Sequence, residues 1–474
     1  MKMMKGVKGG LLAAVSLALV GCAATGTETK SASGAPAATA TADRPARFDK
    51  DPYPSTYKGY PTRLTVVKNV TIFDGEGGRI DHGAIVLSSG KVLSLGGPDM
   101  DLPTDADVYD GTGKYLTPGV IDIHSHLGDY PSPSVEGLSD GNEATGPVTA
   151  EVWAEHSVWP QDPGFTRALV NGGITTLEIL PGSANLMGGR SVVLKNVPAR
   201  TVQGMKFPGA PYGLKMACGE NPKRVYGNKG RMPSTRMGNM AVDRQTWAKA
   251  VAYKKKLDEG KPVDRDLAME TLAGVLSGEI LIQNHCYRAD EMAQVIDMSH
   301  EFGYKVAAFH HAVEAYKVAD LLKKEGICAA MWADWWGFKM EAYDSVPENI
   351  ALVYKEGACT IVHSDDANQI QRLNQEAAKA LAAGRRMGMQ ISDEQAWTWL
   401  GINPAKAIGL ADKIGSLKPG KMADVVLWNG NPFSVYTRPE KVWIDGALMF
   451  DANDPKRRPV TDFELGQPGE GDVK

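Results

Sequence analysis

The chain has 474 residues, of which 43% are hydrophobic and 23% charged, a balance that excludes a disordered protein and an integral membrane protein. Its 52 basic and 56 acidic residues give a net charge of −4, which argues against a nucleic-acid partner. At roughly 100–200 residues per domain, this length predicts two to four domains. Histidine occurs only nine times, so the positions of the histidines are informative.

The N-terminal segment predicts export. Lys2, Lys5 and Lys8 precede the apolar run Leu11–Val20, which is shorter than the roughly 20 residues that span a membrane and matches a secretory signal. The run ends in Leu-Val-Gly followed by Cys22, and this ending resembles the lipobox of bacterial lipoproteins. The resemblance implies lipidation of Cys22 and a membrane-anchored lipoprotein on the periplasmic side of the envelope. Alanine after the cysteine favours the outer membrane; the alternative is a plain signal peptide with an incidental cysteine.

Residues 1–22 are the predicted signal peptide, and sequence patterns divide the rest of the chain into a tether, two strand-rich segments, a barrel and a tail. We expect a flexible tether over 23–60, since much of it is Ala, Thr, Ser, Gly and Pro. Short strands with period-two apolar residues in 61–118 and in 412–455 predict a small β-sandwich domain built from both chain ends. A barrel over 119–411 lies between them, and 456–474 form a C-terminal tail.

The middle of the chain alternates between apolar strands and helices. Helical stretches follow several strands, the clearest being Ala289–Phe302, Val313–Glu325 and Gln371–Met387. This order predicts an α/β fold of the (β/α)8 TIM-barrel type. The strand candidates are Val120–His126, Gly173–Leu180, Ser191–Asn196, Tyr212–Glu220, Glu279–His285, Lys305–His311, Ile327–Met331 and Ala358–Asp365.

Six of the nine histidines lie at or near the ends of these strands. His124 and His126 are two residues apart in a strand, so both side chains point to the same face and reach one cation. The other strand-end candidates are His285, His310, His311, His363 and Asp365. Because imidazole and carboxylate groups are common metal ligands, the sequence predicts a metal site at one end of the barrel.

This pattern resembles the amidohydrolase superfamily of metal-dependent hydrolases. The resemblance extends from Arg63 to Asp451, and within the superfamily it is greatest to the imidazolonepropionase-like and Xaa-Pro-dipeptidase-like branch. It implies a divalent metal, usually zinc, as one or two ions.

The resemblance also implies a role for each ligand. His124 and His126 bind one metal ion, His285 and His311 serve a second, and Asp365 binds metal and moves the proton. His311 is preferred over its neighbour because the Ala-Val-Glu that follows it is similar to a small-residue turn in relatives; His310 is the fallback. His363 is expected to support the ligands. With metal-activated water attacking a carbonyl, Asp365 acts as base and then acid, and His285 or His311 stabilises the oxyanion.

The group that bridges the metals is left open between two residues. Relatives use either a carboxylated lysine or a glutamate on the third or fourth strand. Lys215 stands in a Leu-Lys-Met context similar to the lysine type, whereas Glu220 lies near a proline turn similar to the glutamate type. The sequence slightly favours Glu220, and an ion pair or a substrate contact is the alternative for each.

Substrate recognition is predicted from basic residues near the site. The segment 221–242 carries five cations and no acidic residue, and it follows a ligand strand where barrel enzymes place active-site loops. Arg224 and Tyr226, with Arg288, are the candidates for binding a substrate carboxylate; a solvated basic loop is the alternative. The Trp-rich segment 331–336 forms either an aromatic wall of the site or packing against the barrel.

These features together predict a metal-dependent hydrolase of carbon–nitrogen (amide) bonds. The expected partner is a small-molecule substrate of the N-acyl amino acid, dipeptide or cyclic amide type, and a homo-oligomer stays open. Two alternatives remain: a deaminase or lactonase on the same scaffold, and a lipoprotein that binds a metal or ligand without catalysis.

Besides Cys22, four cysteines remain (Cys218, Cys286, Cys328 and Cys359), and the sequence does not decide how they pair.

Overall fold

The computed structural model describes residues 50–457, which form a mixed α/β protein. The predicted lipidation site Cys22, the signal peptide, most of the tether and most of the C-terminal tail lie outside the described residues. Within 50–457, no helix is both long and apolar enough to cross a membrane.

The described residues form seventeen strands, which account for three sheets. They are β1 (Thr65–Phe73), β2 (Arg79–Ser88), β3 (Lys91–Gly96), β4 (Asp107–Asp110), β5 (Tyr115–Pro118), β6 (Val120–Ser125), β7 (Ile174–Ile179), β8 (Met187–Arg190), β9 (Val192–Lys195), β10 (Tyr212–Ala217), β11 (Ile280–His285), β12 (Val306–His310), β13 (Cys328–Met331), β14 (Cys359–Val362), β15 (Val425–Trp428), β16 (Pro439–Ile444) and β17 (Ala447–Asp451).

Eleven α-helices occur within the same described range, most of them between the central strands. They are α1 (Pro163–Gly172), α2 (Val202–Met205), α3 (Glu220–Gly227), α4 (Arg236–Asp258), α5 (Leu267–Leu276), α6 (Ala289–Phe302), α7 (Ala319–Glu325), α8 (Asn349–Glu356), α9 (Leu373–Arg386), α10 (Asp393–Trp397) and α11 (Ile402–Ala407).

Strands from both ends of the described chain form one eight-stranded sheet. Its order is β17-β16-β15-β5-β1-β2-β3, with β4 paired to β1. The two chain ends meet where β5 pairs antiparallel with β15, and Leu116 lies opposite Leu427. Val67, Ile85 and Trp443 belong to the apolar cluster on this sheet. Because all these strands join a single sheet, the predicted β-sandwich stays a prediction.

The central part of the chain forms two further sheets. Their orders are β14-β13-β12-β11-β10-β8 and β6-β7-β9. The neighbours from β10 to β14 are parallel, and so are β6 and β7. The predicted third barrel strand, 191–196, is present as β9, but it runs antiparallel to β7, since a short apolar run fits either direction. A closed eight-stranded barrel therefore stays a prediction.

Hydrogen bonds join the two central sheets at both edges. The Ser191 N–H donates to a carbonyl of β10 at 2.9 Å, and the Asp365 N–H donates to the His124 carbonyl at 3.0 Å. Asp122 reinforces the second junction by accepting from the N–H groups of His124 at 3.1 Å and Ser364 at 3.2 Å. The segment that carries Asp365 is therefore held against β6.

Several helix predictions are confirmed, and one loop prediction is wrong. Helix α6 has the predicted bounds, and α10 begins with a capping box that Ser392 and Gln395 form. The basic segment 221–242, predicted as a loop, instead forms most of α3 and the start of α4. Helix α4 begins there because the Thr235 side chain accepts a hydrogen bond from the Gly238 N–H at 3.0 Å.

Two disulfides connect neighbouring parallel strands at opposite ends. Cys218–Cys286 joins the residues that follow the carboxyl ends of β10 and β11, one residue beyond His285. Cys328–Cys359 joins the first residues of β13 and β14. The first disulfide therefore lies at the histidine-bearing end of the strands, and the second lies at the other end.

Candidate metal centre

His124, near the carboxyl end of β6, is oriented by a chain of buried polar groups. Gln283 Nε2 donates to the Ala407 carbonyl at 3.0 Å, so Gln283 Oε1 accepts from His310 Nε2, which is 2.8 Å away. His310 Nδ1 is then an acceptor, and His124 Nδ1 donates to it at 2.8 Å. This tautomer leaves the lone pair of His124 Nε2 available to a metal ion.

His126 is oriented in the same way by a backbone group. Its Nδ1 donates to the Leu180 carbonyl at 2.7 Å, which holds the ring with Nε2 toward Asp365. His126 Nε2 lies 3.2 Å from Asp365 Oδ1, and His124 Nε2 lies 3.4 Å from the same oxygen. The two histidines of the His-x-His pair thus direct their Nε2 atoms to one carboxylate oxygen.

Asp365 and His311 share an uncommon backbone conformation. Their φ angles are 86° and 59°, a region that residues other than glycine rarely occupy and that recurs at functional sites. Burial alone would raise the pKa of Asp365, but the imidazoles of His311, His126 and His363 outweigh it and hold this pKa below its ordinary value. The carboxylate is therefore ionised at neutral pH, and its side chain is 25% exposed.

Lys215, on β10, lies against the same group. Its Nζ atom is 3.3 Å from His124 Nε2, and its side chain is fully buried. Burial lowers the pKa of Lys215 to about 8, although the carboxylates of Asp365 and Glu178 oppose the shift. At neutral pH this lysine therefore has a larger uncharged fraction than an exposed lysine.

Three further imidazoles complete the cluster. Neither ring nitrogen of His285 has a hydrogen-bond partner among the described residues, and the same holds for Nδ1 of His311 and of His363. His363 Nε2 accepts from the His311 N–H at 3.2 Å. Burial holds the pKa values of His285 and His311 well below the ordinary value and lowers that of His363 to about 3. The rings are thus neutral at pH 7, and their unpartnered nitrogens are groups that a metal ion would satisfy.

The ligand atoms converge in two sets that share His124. His124, His126 and Asp365 form one set, His124, His311 and His363 form the other, and the atoms of each set lie within 4.8 Å of one another. Neutral imidazoles with a carboxylate are a donor set that suits zinc. The residues present therefore fit a divalent cation.

The structure places Lys215 against His124, whereas Glu220, the residue favoured as the bridge, lies within electrostatic range of Tyr287 and Lys339 and stays a prediction. The predicted strand ends before Glu220, which is the first residue of α3. Gly219 turns the chain there with φ 81°, and a Cβ at this position would lie 2.5 Å from Glu341 Oε1. The Glu220 N–H donates to that oxygen at 2.7 Å. Lys215, by contrast, contacts His124 directly.

The three predicted substrate-binding residues lie in different surroundings. Tyr226 is fully buried and its hydroxyl donates to the Gly146 carbonyl at 2.6 Å, so a structural role accounts for this side chain and a substrate contact stays a prediction. Arg288 makes two 2.9 Å hydrogen bonds to Asp290. It lines a surface cleft of about 570 Å³ whose lining residues include none of the histidines. Arg224 is exposed on α3 and stays a prediction.

The aromatic segment after β13 lies directly on the site. Trp332 stacks on His311 with ring centroids 4.2 Å apart, and its Nε1 donates to the Ser364 carbonyl at 2.6 Å. Tyr287 also stacks on His311, at 5.5 Å. Lys339, from the same segment as Trp332, places its Nζ atom 3.8 Å from the Tyr287 ring centroid. No local pattern of the sequence points to Lys339, because the position of this irregular segment depends on contacts with distant residues.

Comparisons with known proteins show which family the chain is similar to. The amidohydrolase family matches residues 115–456. The amidohydrolase tasK of Hapsidospora irregularis is 30% identical over 430 residues, which cover 82% of this chain and only 43% of that relative. An imidazolonepropionase of Shewanella oneidensis is 25% identical over 377 residues, which cover 74% of this chain and 88% of that relative.

A solved structure shows the same similarity in three dimensions. An amidohydrolase from Thermotoga maritima MSB8 is 38% identical, with 82% of this chain and 100% of that chain covered and a TM-score of 0.75. The family match includes both histidines of the His-x-His pair and the segment that carries Asp365. The chain therefore belongs to the amidohydrolase family, a family of enzymes that hydrolyse carbon–nitrogen bonds.

Proposed function

We propose that this chain hydrolyses an amide bond with one or two bound divalent ions, zinc being the expected metal. The observation that carries the proposal is the convergence of oriented, neutral imidazoles on the ionised carboxylate of Asp365. The proposed metal-holding residues are His124, His126, Lys215, His285, His311 and Asp365.

Lys215 is the proposed bridging residue, in a carboxylated form. Its lowered pKa supports this role, because the uncharged amine is the form that adds carbon dioxide. Its Nζ atom already lies 3.3 Å from His124 Nε2. A carboxylate added to Lys215 would therefore join the ligand set.

The remaining chemistry is assigned to side chains of this protein. A divalent cation supplies two effects when bound, lowering the pKa of water toward ~7 and polarising the substrate carbonyl. Asp365 accepts the proton of the attacking water on its ionised carboxylate and delivers it to the leaving nitrogen. The Asp365 N–H donates to the His124 carbonyl of β6, and the Ser364 N–H donates to Asp122. These two bonds hold the backbone that carries the Asp365 carboxylate. His285 or His311 stabilises the charge that develops on the carbonyl oxygen.

The closure of the barrel and the division into domains are also proposals. We propose that the two central sheets are parts of one (β/α)8 barrel and that the sheet built from both chain ends belongs to a separate small domain. The hydrogen bonds at both edges of the central sheets support the barrel.

We further propose that the protein is exported and anchored through a lipid on Cys22. The two disulfides support export, because disulfides persist in oxidising compartments such as the bacterial periplasm. They pair all four cysteines of the described chain and leave Cys22 for lipidation. Mass spectrometry of the N-terminal peptide from membrane fractions tests this: acyl groups on Cys22 support it, and an unmodified cysteine contradicts it.

A substrate panel tests the proposed reaction. N-acyl amino acids, dipeptides, cyclic amides and aminated rings are incubated with the zinc-loaded protein, and released amine is quantified beside ammonia. Hydrolysis that stops on full chelation and returns with zinc supports the proposal. Release of ammonia from aminated rings, with no amide cleavage, would contradict it in favour of deamination. D365N, which keeps the side-chain shape, serves as the matched control.

A further inference from the structure

Lys339 lies beside the candidate metal centre with most of its side chain buried. Its Nζ atom sits over the Tyr287 ring, 3.8 Å from the centroid, and its side chain is 14% exposed. The same Tyr287 ring lies 4.9 Å from the His285 ring and 5.5 Å from the His311 ring. One aromatic ring therefore separates the ammonium group from two candidate metal ligands.

The contacts of Lys339 leave its ammonium group with spare capacity for hydrogen bonds. An ammonium group has three N–H donors. Lys339 donates to Asn221 Oδ1 at 3.4 Å and lies 3.6 Å from Glu341 Oε2, both at the long end of the range. Glu341 is itself held by Arg236 and by the Glu220 N–H. The carboxylates of Glu341 and Glu220 both act on Lys339 electrostatically, but neither makes a short hydrogen bond with its Nζ atom, so donors of the ammonium group stay available.

The arginines predicted to bind substrate are placed less well. One edge of the Arg288 guanidinium, formed by Nε and Nη2, donates to the Asp290 carboxylate. Arg224 is exposed, and it lies within electrostatic range of Lys339, so it adds positive charge on the same side. Burial strengthens the attraction of a charge for its partner because the surroundings screen it less than water does. Lys339 therefore combines burial, free donors and proximity to the ligands.

We propose that Lys339 is the residue that recognises a carboxylate of the substrate. The inference rests on the proposed amide hydrolysis and adds the residue that determines its specificity. In an N-acyl amino acid or a dipeptide, two covalent bonds separate the scissile nitrogen from the carbon of the α-carboxylate. A cation that binds this carboxylate therefore has to lie close to the metal ligands. The Nζ atom of Lys339 meets this requirement, because it lies over the Tyr287 ring, which itself contacts His285 and His311.

Kinetics on paired substrates test the proposal. The best N-acyl amino acid or dipeptide of the panel is compared with its carboxamide, for zinc-loaded wild type, K339M and K339R, with K249M, at an exposed lysine of α4, as the matched control. We expect K339M to lower kcat/KM for the carboxylate substrate about 10–100-fold, the range for a charge-assisted hydrogen bond, mainly through KM. Turnover of the carboxamide should stay unchanged, K339R should recover part of the loss, and K249M should behave as wild type.

The outcomes separate this proposal from the one on which it rests. If wild type hydrolyses no member of the panel, the proposed function fails and this inference fails with it. If wild type hydrolyses carboxylate and carboxamide equally, or K339M loses both equally, the role of Lys339 is refuted while amide hydrolysis stands. Unchanged carboxamide turnover in K339M also shows that the variant folds.

Discussion

The disulfide Cys218–Cys286 makes a prediction that links stability to the metal centre. It ties the carboxyl ends of β10 and β11, the strands that carry Lys215 and His285. Cys328–Cys359 ties two strands of the same sheet at their other end. Removing either bond should destabilise the fold, but only removal of the first should loosen the metal ligands. The double variants C218A/C286A and C328A/C359A are therefore a matched pair.

The size of the stability loss follows from the lengths of the closed loops. Sequence separations of 68 and 31 residues correspond to about 4.4 and about 3.7 kcal/mol in the chain-entropy description of a cross-link. The two variants should therefore lose similar amounts of unfolding free energy. The metal affinities of the two variants should differ. Looser support of the metal ligands lowers metal affinity about 10–100-fold, and we expect this loss for C218A/C286A alone.

Two measurements on the same preparations check this prediction. Urea unfolding of the chelated protein gives the unfolding free energy, and zinc titration against a competing chelator gives the metal affinity. Equal losses of zinc affinity in both variants would refute the reasoning, because they would show that general destabilisation rather than the position of the disulfide sets the affinity. Unchanged zinc affinity in C218A/C286A would refute it as well.

Three further predictions concern individual side chains. D365N should keep its fold and most of its metal but lose about 10²–10⁴-fold in kcat for amide hydrolysis; wild-type turnover would remove Asp365 from the mechanism. H310F removes the acceptor that sets the tautomer of His124, so zinc affinity in a chelator competition should fall about 10–100-fold, and an unchanged affinity would contradict the hydrogen-bond chain. Burial raises the pKa of Glu178 from 4.5 to about 8, so the folded state keeps a proton that the unfolded state releases, and stability falls as pH rises through this window. Asp122 and Asp424 also have raised pKa values, about 7 and about 6, so E178Q should make the decline between about pH 5 and about pH 7.5 shallower without abolishing it in urea unfolding of the chelated protein; a slope equal to that of wild type would show that Glu178 does not titrate there.

The sequence predicts the histidine cluster because strand geometry is local. Residues two apart in a strand share a face, and parallel strands end at one edge, so His124, His126 and His285 could be placed together from the pattern alone. The bridging residue could not be decided in this way. Lys215 and Glu220 lie five residues apart, and the choice depends on where β10 ends and α3 begins, boundaries that apolar spacing fixes poorly.

Long-range contacts account for most of what the sequence does not reveal. The apolar run of β9 has the same composition whether the strand is parallel or antiparallel, so its direction depends on its partner. The aromatic segment that carries Lys339 has no regular structure, and its contact with Tyr287 depends on a fold-back over the site. The tautomer of His124 likewise depends on His310 and Gln283, which are distant in the chain.

Zinc titration of the chelated enzyme shows whether amide hydrolysis requires a bound metal ion. Hydrolysis of the best amide substrate is followed while zinc is added, and bound metal per chain is measured on the same samples. We predict no hydrolysis without metal and a rise that saturates at one or two zinc ions per chain. Full amide hydrolysis by protein shown to be free of metal would contradict the account.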